Sequence, residues 1–335
     1  MSKNHTTVKD IAEKTGLHYS TVSRALRDYS DINEKTKRKV LMAARELNYT
    51  PNTIAQGLKS RTTKQVGIII PEIDNNFFSR AVSQIEKVIY DHGFVPIVLQ
   101  TNESPEREVL NIDSMLSNRI AGLIISVSEN TEETDHLLKL TKNNIPLVLL
   151  DRVIKTEAAN KVISNEKQGA KEGVEYLISK GHKRIAHFAG PEHSKISRQK
   201  MEGYIEALKE NSRRIEDDLI IFGDLKEESG YQAMDELLNK DIIPDAIFTV
   251  NDLVANGAIK RIREEELSIP QDIAILGFSN NDISQYFDPP LTTIEKFPGK
   301  MGKVAAEILV NQIGQEEIST KTEVLPTKLI IRKSA

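Results

Sequence analysis

The first 50 residues carry apolar positions at the spacing of short helices. A first helix is predicted between a capping Thr7 and a terminating Gly16, and a second from about Tyr19 to Leu26. A third helix is predicted from Asn33 to Leu47. The first two are separated only by a three-residue turn. This spacing is typical of a helix-turn-helix domain.

From Val66 onward, short β-branched runs alternate with amphipathic segments such as Phe78–His92 and Gly169–Lys180. Apolar runs that are buried on both faces and separated by helices predict parallel, doubly wound α/β sheets. A body of about 270 residues is large for one sheet, so two lobes are expected. The runs are Val66–Ile70, Phe94–Leu99, Gly122–Ile125, Pro146–Leu150, Val162–Ile163, Arg184–Phe188, Leu219–Phe222, Ala246–Val250 and Ile273–Leu276.

These patterns divide the chain into three predicted segments. Residues 1–50 form an all-α head, and residues 62–335 form the α/β body. Between them, Pro51 interrupts the third helix pattern, and residues 51–61 combine a short helical stretch with a polar linker.

Composition narrows the class of protein. The chain has no cysteine, which excludes disulfides, thiolate metal sites and a cysteine nucleophile. No apolar run reaches the roughly 18 residues of a membrane span, and the polar N-terminus has no signal-peptide core. We therefore expect a cytoplasmic protein without a membrane partner.

Charge is distributed unevenly between head and body. Residues 1–61 contain 12 Lys and Arg against 6 Asp and Glu, whereas the remainder contains 33 against 43. A basic head on an acidic body favours a polyanionic partner for the head. A merely solvated basic surface is the alternative that charge alone leaves open.

In a helix-turn-helix, the start of the second helix contacts base edges and phosphates in the major groove. Thr21 and Ser23 can donate to phosphates, and Arg24 can pair with guanine or phosphate. The alternative from the pattern alone is a helical cap domain with solvated polar residues. The candidate DNA contacts in the head are Thr7, Tyr19, Ser20, Thr21, Ser23 and Arg24.

Three head motifs closely resemble the LacI/GalR family of bacterial transcription regulators: Val8–Gly16 (VKDIAEKTG), Ser20–Leu26 (STVSRAL) and Leu47–Asn52 (LNYTPN). The resemblance continues through the body and covers essentially the whole chain. Its landmarks there are Pro71–Phe78, Glu227–Tyr231, Val250–Asp252 and Asp288–Thr293.

The resemblance implies that Pro51 to Leu58 is a hinge helix that enters the minor groove in pairs, with Asn52, Ala55 and Leu58 as DNA contacts. Leu58 stands at the position of a leucine that wedges between base steps. A linker leucine docked on the body is the alternative. Gln56-Gly57 replaces the usual Arg-Ser, and glycine lowers helix propensity by about 1 kcal/mol.

The resemblance further implies a homodimer on a pseudo-palindromic DNA operator and a body like that of periplasmic sugar-binding proteins. One lobe would comprise about 62–163 and 295–323, and the other about 164–294 and 324–335. A sugar-like small-molecule effector would bind between them, at the carboxyl ends of the strands. No cofactor and no metal are implied.

Matching positions give the effector candidates Phe77, Phe78, Ser128, Asp151, Arg152, Arg198, Lys200, Leu225, Asn251, Ser279 and Lys296. One of the two phenylalanines is a core residue in the alternative interpretation. Ser279 replaces a common aspartate and Lys296 a common glutamine, which adds about two positive charges. This excess favours an acidic effector, such as a sugar acid or sugar phosphate. In the alternatives, Lys296 points to solvent or Arg198 forms a surface pair.

Other functional classes fit the sequence less well. We find no phosphate-binding loop, dinucleotide fingerprint or zinc-protease motif, so an enzyme is not expected. His187, within a β-run, is expected to be a core histidine. A transport-type binding protein fits the body but not the head. A repressor controlled by an effector is predicted, and a regulator whose body responds to a protein partner remains the alternative.

Overall fold

The computed structural model describes residues 6–26, 28–49, 63–131, 133–315, 317 and 319–335. Two compact units make up the chain, Met1–Thr63 and Lys64–Ala335. The hinge candidates Asn52, Ala55 and Leu58 lie outside the described residues.

The small unit is a three-helix head with α1 (Val8–Thr15), α2 (Tyr19–Leu26) and α3 (Glu34–Glu46). One side chain from each helix, Ile11, Val22 and Val40, is fully buried in the common core. The first two helices span the predicted residues. The third begins one residue later than predicted because Asn33 caps it, accepting a hydrogen bond from the Thr36 amide at 2.8 Å.

The large unit begins with alternating strands and helices, as the apolar runs predict. These elements are β1 (Gln65–Ile70), α4 (Asn76–Asp91), β2 (Val95–Gln100), α5 (Pro105–Ser117), β3 (Gly122–Ile125), α6 (Asp135–Lys142), β4 (Leu147–Leu150) and β5 (Asn160–Ser164).

The alternation continues into a second sheet. Its elements are α7 (Glu166–Ser179), β6 (Ile185–Ala189), α8 (Lys195–Glu210), β7 (Ile220–Phe222), α9 (Glu227–Asn239), β8 (Ala246–Thr249), α10 (Asp252–Glu264), β9 (Ala274–Ser279) and β10 (Thr292–Glu295).

The chain then returns to the first sheet with α11 (Pro298–Gln312) and β11 (Thr322–Leu325), and ends in the second with β12 (Lys328–Ile330). The first sheet has the order β11-β5-β4-β3-β1-β2 and the second β12-β10-β9-β8-β6-β7. Only β12 pairs antiparallel among the described strands, with Thr293 opposite Ile330. The chain therefore crosses between two lobes three times. The predicted class, a helical head with two doubly wound α/β lobes, is confirmed.

Helices α9 and α10 pack closely enough that glycine is required on both. A methyl group added to Gly257 would lie 1.9 Å from the carbonyl oxygen of Glu227. One added to Gly230 would lie 1.9 Å from the carbonyl oxygen of Val254. Neither carbonyl can move without moving its helix, so the α9–α10 contact depends on these two glycines.

We expect Gly257→Ala to lower the free energy of unfolding by about 1–3 kcal/mol, because the added methyl forces the two helix backbones apart. Urea denaturation of the full chain measures the loss. The matched control is Gly299→Ala in the first turn of α11, where the nearest atom is the flexible Gln84 Cγ at 3.3 Å. A loss no larger than that of the control would contradict the close packing.

His187 is the predicted core histidine. Its ring is fully buried between Tyr204, with centroids 5.1 Å apart, and Phe248, with centroids 4.8 Å apart. Its Nδ1 lies 3.0 Å from the carbonyl oxygen of Phe248. Burial in this stack lowers the pKa of His187 to about 4.

Stability is therefore expected to fall as the pH drops from about 6.5 towards 4, because only the unfolded chain takes up a proton at His187. The loss is on the order of 3 kcal/mol at the acidic end. His187→Phe should flatten this part of the profile relative to the unmodified chain, as followed by urea titration at each pH. Tyr204→Phe keeps the histidine and should keep the slope. Parallel profiles for His187→Phe and the unmodified chain would disprove the assignment.

Candidate functional site

The N-terminus of α2 is exposed because the opposite face of that helix forms the head core. Val22 and Ala25 are buried, whereas the Tyr19 side chain is 51% exposed and Ser20 lies beside it. The turn before α2 is held by His18, whose Nδ1 lies 2.8 Å from Ser20 Oγ. Polar and aromatic side chains are thus presented at the start of the second helix, where a helix-turn-helix contacts bases.

Two DNA-contact candidates also make contacts within the head. The Thr7 hydroxyl donates to Asp10 at 2.8 Å and the Thr7 amide donates to the same carboxylate at 2.6 Å, which lowers the pKa of Asp10. The Arg24 guanidinium donates to Asp31 and lies 5.4 Å from the centroid of the Tyr29 ring. Thr21 and Ser23 are half-buried on the same helix.

In the large unit, the carboxyl ends of strands from both sheets border a cleft. A cavity of about 110 Å³ occupies it. Nine of the eleven effector candidates line this first cavity: Phe77, Phe78, Asp151, Arg152, Lys200, Leu225, Asn251, Ser279 and Lys296. Ser128 and Arg198 instead line a neighbouring cavity of about 440 Å³.

A buried cluster of four charges lies at the centre of the cleft. Lys296 Nζ is 2.7 Å from Asp151 Oδ1 and 2.7 Å from Glu166 Oε1. Lys200 Nζ is 3.5 Å from Glu166 Oε2 and donates to the Val250 carbonyl at 2.9 Å. The cluster contains two carboxylates and two ammonium groups, so its formal charges cancel.

The pKa directions reflect this pairing. Burial opposes the charged form of Lys296, but Asp151 and Glu166 outweigh it and raise its pKa. Burial likewise opposes ionisation of Glu166, but the two lysines lower its pKa. For Lys200, burial outweighs Glu166, and the pKa is lowered. The pairing therefore favours the charged forms of Lys296 and Glu166.

The predicted excess of about two positive charges in the first cavity is therefore wrong. Lys296 does not point to solvent, since only 4% of the residue is exposed, and Asp151 and Glu166 neutralise it. Arg152 is neutralised as well, by Glu103 at 2.6 Å and Glu129 at 3.2 Å. The sequence argument counted the cations without their partners.

Aromatic rings face these charges. The Phe77 and Phe78 rings meet edge to face, with centroids 5.2 Å apart and planes at 87°. Lys296 Nζ lies 4.5 Å from the centre of the Phe77 ring, and the Arg152 guanidinium 5.7 Å from that of Phe78. Phe78 belongs to the core, with 3% exposed, whereas Phe77 is half-buried at the cleft. The cleft therefore offers one aromatic face beside fixed charges.

Three further candidates, Asn251, Ser128 and Ser279, are constrained by their local structure. The Asn251 side chain accepts from the Val254 amide at 2.8 Å and donates to the Leu225 carbonyl at 2.8 Å. Ser128 is buried, and its hydroxyl donates to Thr101 at 2.9 Å. Ser279 lies in the left-handed region with φ 106°, a strained conformation for a residue other than glycine.

Asp252 accepts from the Asn281 amide at 2.6 Å and from the Thr293 hydroxyl at 2.5 Å. Complete burial raises its pKa to about 7. Asp252, the residue after Asn251, thereby holds the loop after β9 against the start of α10.

Sequence reasoning missed the acidic partners Glu103, Glu129 and Glu166. Glu166 lies where the chain crosses from β5 into the second lobe. This position was the only feature of the sequence that could have marked Glu166 as a cleft residue. Its partner Lys296 lies at another crossing, and no local pattern connects two crossings that are so far apart in the chain.

Among the described residues, no helix has both the length and the apolar character needed to cross a membrane. The described part of the chain also contains no group of three or more His, Cys, Asp or Glu side chains that could hold a metal ion.

A helix-turn-helix unit followed by a two-lobed α/β unit with a polar cleft is the architecture of a ligand-responsive DNA-binding regulator. Residues 7–52 match the model for bacterial regulatory proteins of the lacI family. Residues 63–333 match that for periplasmic binding proteins and the sugar-binding domain of the LacI family. The chain belongs to the LacI family of DNA-binding transcriptional repressors.

Relatives match over nearly the full length. The HTH-type transcriptional repressors PurR of Histophilus somni (strain 129Pt) and Actinobacillus pleuropneumoniae serotype 3 (strain JL03) are each 31% identical, and the match covers 98% of each chain. Membership of this family establishes that the protein is a transcriptional repressor and not an enzyme. It also confirms the expected cytoplasmic location, where a bacterial repressor meets its DNA.

Two solved structures are similar to this chain. A lac repressor dimer bound to operator and the anti-inducer ONPF has a TM-score of 0.86 at 29% identity, with 99% of both chains covered. The transcriptional regulator CelR in complex with cellobiose has a TM-score of 0.75 at 25% identity, covering 99% of this chain and 100% of that one.

Proposed function

We propose that this repressor binds a pseudo-palindromic operator as a homodimer and is controlled by a small carbohydrate-type effector in the interlobe cleft. The observation that carries the effector part is the first cavity, where the half-buried Phe77 ring faces paired donors and acceptors. Sugar hydroxyls both donate and accept hydrogen bonds, so a charge-balanced lining suits a polyhydroxylated ligand.

On the DNA side, the exposed start of α2 supports contacts by Tyr19, Ser20 and Thr21 in the major groove. Thr7, Ser23 and Arg24 are proposed to position the head on phosphates. The proposed hinge, residues 51–61, supplies the minor-groove contacts of Asn52, Ala55 and Leu58.

Dimerisation is supported by the exposed edges of the two sheets. In the first sheet, β2 is an edge strand with Val95 56% and Val98 40% exposed, and Tyr90 at the end of α4 is 70% exposed. In the second, the edge strand β7 exposes Phe222. Apolar groups at equivalent edges of both lobes favour one continuous interface with a second copy.

Control is proposed to work by population shift. The body has two lobe arrangements, and the effector stabilises the one in which it binds better. The arrangement sets the separation of the two hinge segments in the dimer, so that the paired hinge helices form or melt. Whether the effector releases DNA or strengthens its binding depends on which arrangement binds it.

The test combines a thermal-shift screen of the full chain with DNA binding. A ligand that binds only the folded state stabilises it by about 2.7 kcal/mol at a hundredfold excess over Kd. We expect stabilisation by members of a panel of neutral mono- and disaccharides, its loss in Phe77→Ala, and a change in affinity for an operator selected from randomised duplexes.

The selected operator is expected to be an inverted repeat. No stabilisation by any carbohydrate, together with a co-purifying protein that alters operator affinity, would instead support a regulator that responds to a protein partner. An asymmetric single site would argue against the dimer.

A further inference from the structure

The second cavity continues the cleft on one side of the charge cluster. Its volume of about 440 Å³ is four times that of the first, and the two share Glu129, Asp151, Arg152 and Ile196 in their linings. One wall comes from the loops after β3 and β4 of the N-terminal lobe, and the other from residues 193–199 at the start of α8. The two cavities are therefore adjacent, with these four residues between them.

The charges around the second cavity are not balanced as they are in the first. Lys155, Lys195 and Arg198 line it, and in the described part of the chain none of these three forms an ion pair. The three acidic residues in the same lining are paired, Glu129 with Arg152 and both Asp151 and Glu166 with Lys296. The second cavity thus has the positive excess that the first lacks.

Two further features of the lining leave polar atoms without a hydrogen bond. Helix α8 begins at Lys195, and the Ser194 side chain caps it by accepting from the Ser197 amide at 3.3 Å. The amides of Lys195 and Ile196 have no intrahelical acceptor, so they favour an anion. Across the cavity, Glu166 is 3% exposed, and its Oε2 lies 3.5 Å from Lys200 Nζ but accepts no hydrogen bond in the described structure. A ligand with an anionic group beside a hydroxyl group could accept from the amides of α8 and donate to Glu166 Oε2.

We propose that the second cavity binds an oxyanion, a phosphate or carboxylate, carried by the same effector whose hydroxyl-bearing part occupies the first cavity. Arg198 and Lys195 bind the oxyanion together with the first-turn amides of α8, and Lys155 approaches from the other lobe. Glu166 Oε2 accepts a hydroxyl where the cavities join. This rests on the proposed carbohydrate-type effector, and it places the acidic group beside Arg198 and Lys195, which form no ion pair in the described structure, and away from the paired Lys200 and Lys296.

The first experiment uses inorganic phosphate as the probe, at constant ionic strength with chloride as the balancing anion. We expect millimolar phosphate to raise the Tm of the full chain and its apparent Kd to weaken about tenfold or more in Lys195→Gln/Arg198→Gln, because charge-assisted hydrogen bonds are lost. Both side chains are exposed at the rim, so this variant should fold. The control, Lys139→Gln/Lys142→Gln on α6, should respond like the unmodified chain.

Equal phosphate responses in all three proteins would overturn the proposal, since any phosphate bound would lie elsewhere, for example on the head. A second arm compares hexoses, hexose 6-phosphates and hexuronic acids. If a sugar phosphate or sugar acid binds more tightly than both its neutral parent and inorganic phosphate, and the double variant removes that gain, the anion belongs to the effector. If inorganic phosphate binds selectively but no sugar phosphate or sugar acid binds more tightly, the site binds a free anion. That result would overturn the proposal that one effector occupies both cavities.

The two proposals fail in different ways. Stabilisation by neutral sugars without a selective anion response retains the carbohydrate-type effector and rejects the anion site. A selective anion response without any carbohydrate binding retains the anion site and rejects the carbohydrate-type effector.

Discussion

Lys296→Met is expected to lower the free energy of unfolding of the body by about 3–5 kcal/mol, one of the largest losses that any single side chain in the cleft can cause. Methionine fills a similar volume but leaves Asp151 facing the buried Glu166 without the ammonium that lies 2.7 Å from each. For a unit of this size, the loss corresponds to a fall in Tm of roughly 10 °C. Urea denaturation and thermal melting of the full chain measure it.

Two further variants separate charge from packing. Lys303→Met removes an exposed lysine from α11 and should change stability by less than about 0.5 kcal/mol. Adding Asp151→Asn to Lys296→Met leaves only the Glu166–Lys200 pair, which restores charge balance, and should recover part of the loss. If this double variant is no more stable than Lys296→Met alone, lost packing rather than uncompensated charge accounts for the effect.

The position of Lys296 explains why its loss should also affect ligand binding. It follows β10 of the second sheet and precedes α11 of the first lobe, so it lies in one of the three crossings. Asp151 follows directly after β4 of the first sheet, and Glu166 begins α7 in the second lobe. One ammonium therefore joins groups from both lobes at the cleft, where an effector would have to fit around the cluster or rearrange it.

The fold was largely predictable because its signals are local. Fully buried strands such as β3 and β4 are continuous apolar runs, and their burial on both faces can be predicted without knowledge of distant residues. The short strands β10, β11 and β12 contain polar residues and form only where the chain crosses between lobes. Lobe boundaries near these residues were therefore predicted from the sequence, but the strands were not.

The electrostatics of the site were not predictable in the same way. The partners of Lys296 and Arg152 lie far away in the chain, so counting charges at matching positions gave a positive pocket that pairing neutralises. Within the head, Arg24 was assigned to DNA without its neighbour Asp31. Residue type at a position gives the available chemistry, but only the fold shows which charges remain free to bind a ligand.

The second large effect is expected at the sheet edge proposed for dimerisation. Val95→Asp/Val98→Asp places two carboxylates on β2, where an interface would bury them without partners. We expect sedimentation to show a monomer and operator affinity to fall about 100-fold or more, because the two heads no longer bind as one linked unit. The folded body should survive, since both side chains are exposed in the single chain.

The control makes the same chemical change at the opposite edges of the sheets. Val324 on β11 is 52% exposed and Ile331 after β12 is 58% exposed, so the four apolar side chains resemble one another in exposure. Val324→Asp/Ile331→Asp should therefore remain dimeric and bind the operator normally. If this variant dissociates while Val95→Asp/Val98→Asp stays dimeric, the interface lies on the β11 and β12 side. If neither dissociates, the contacts between copies come from other surfaces, and the exposed valines of β2 require a different explanation.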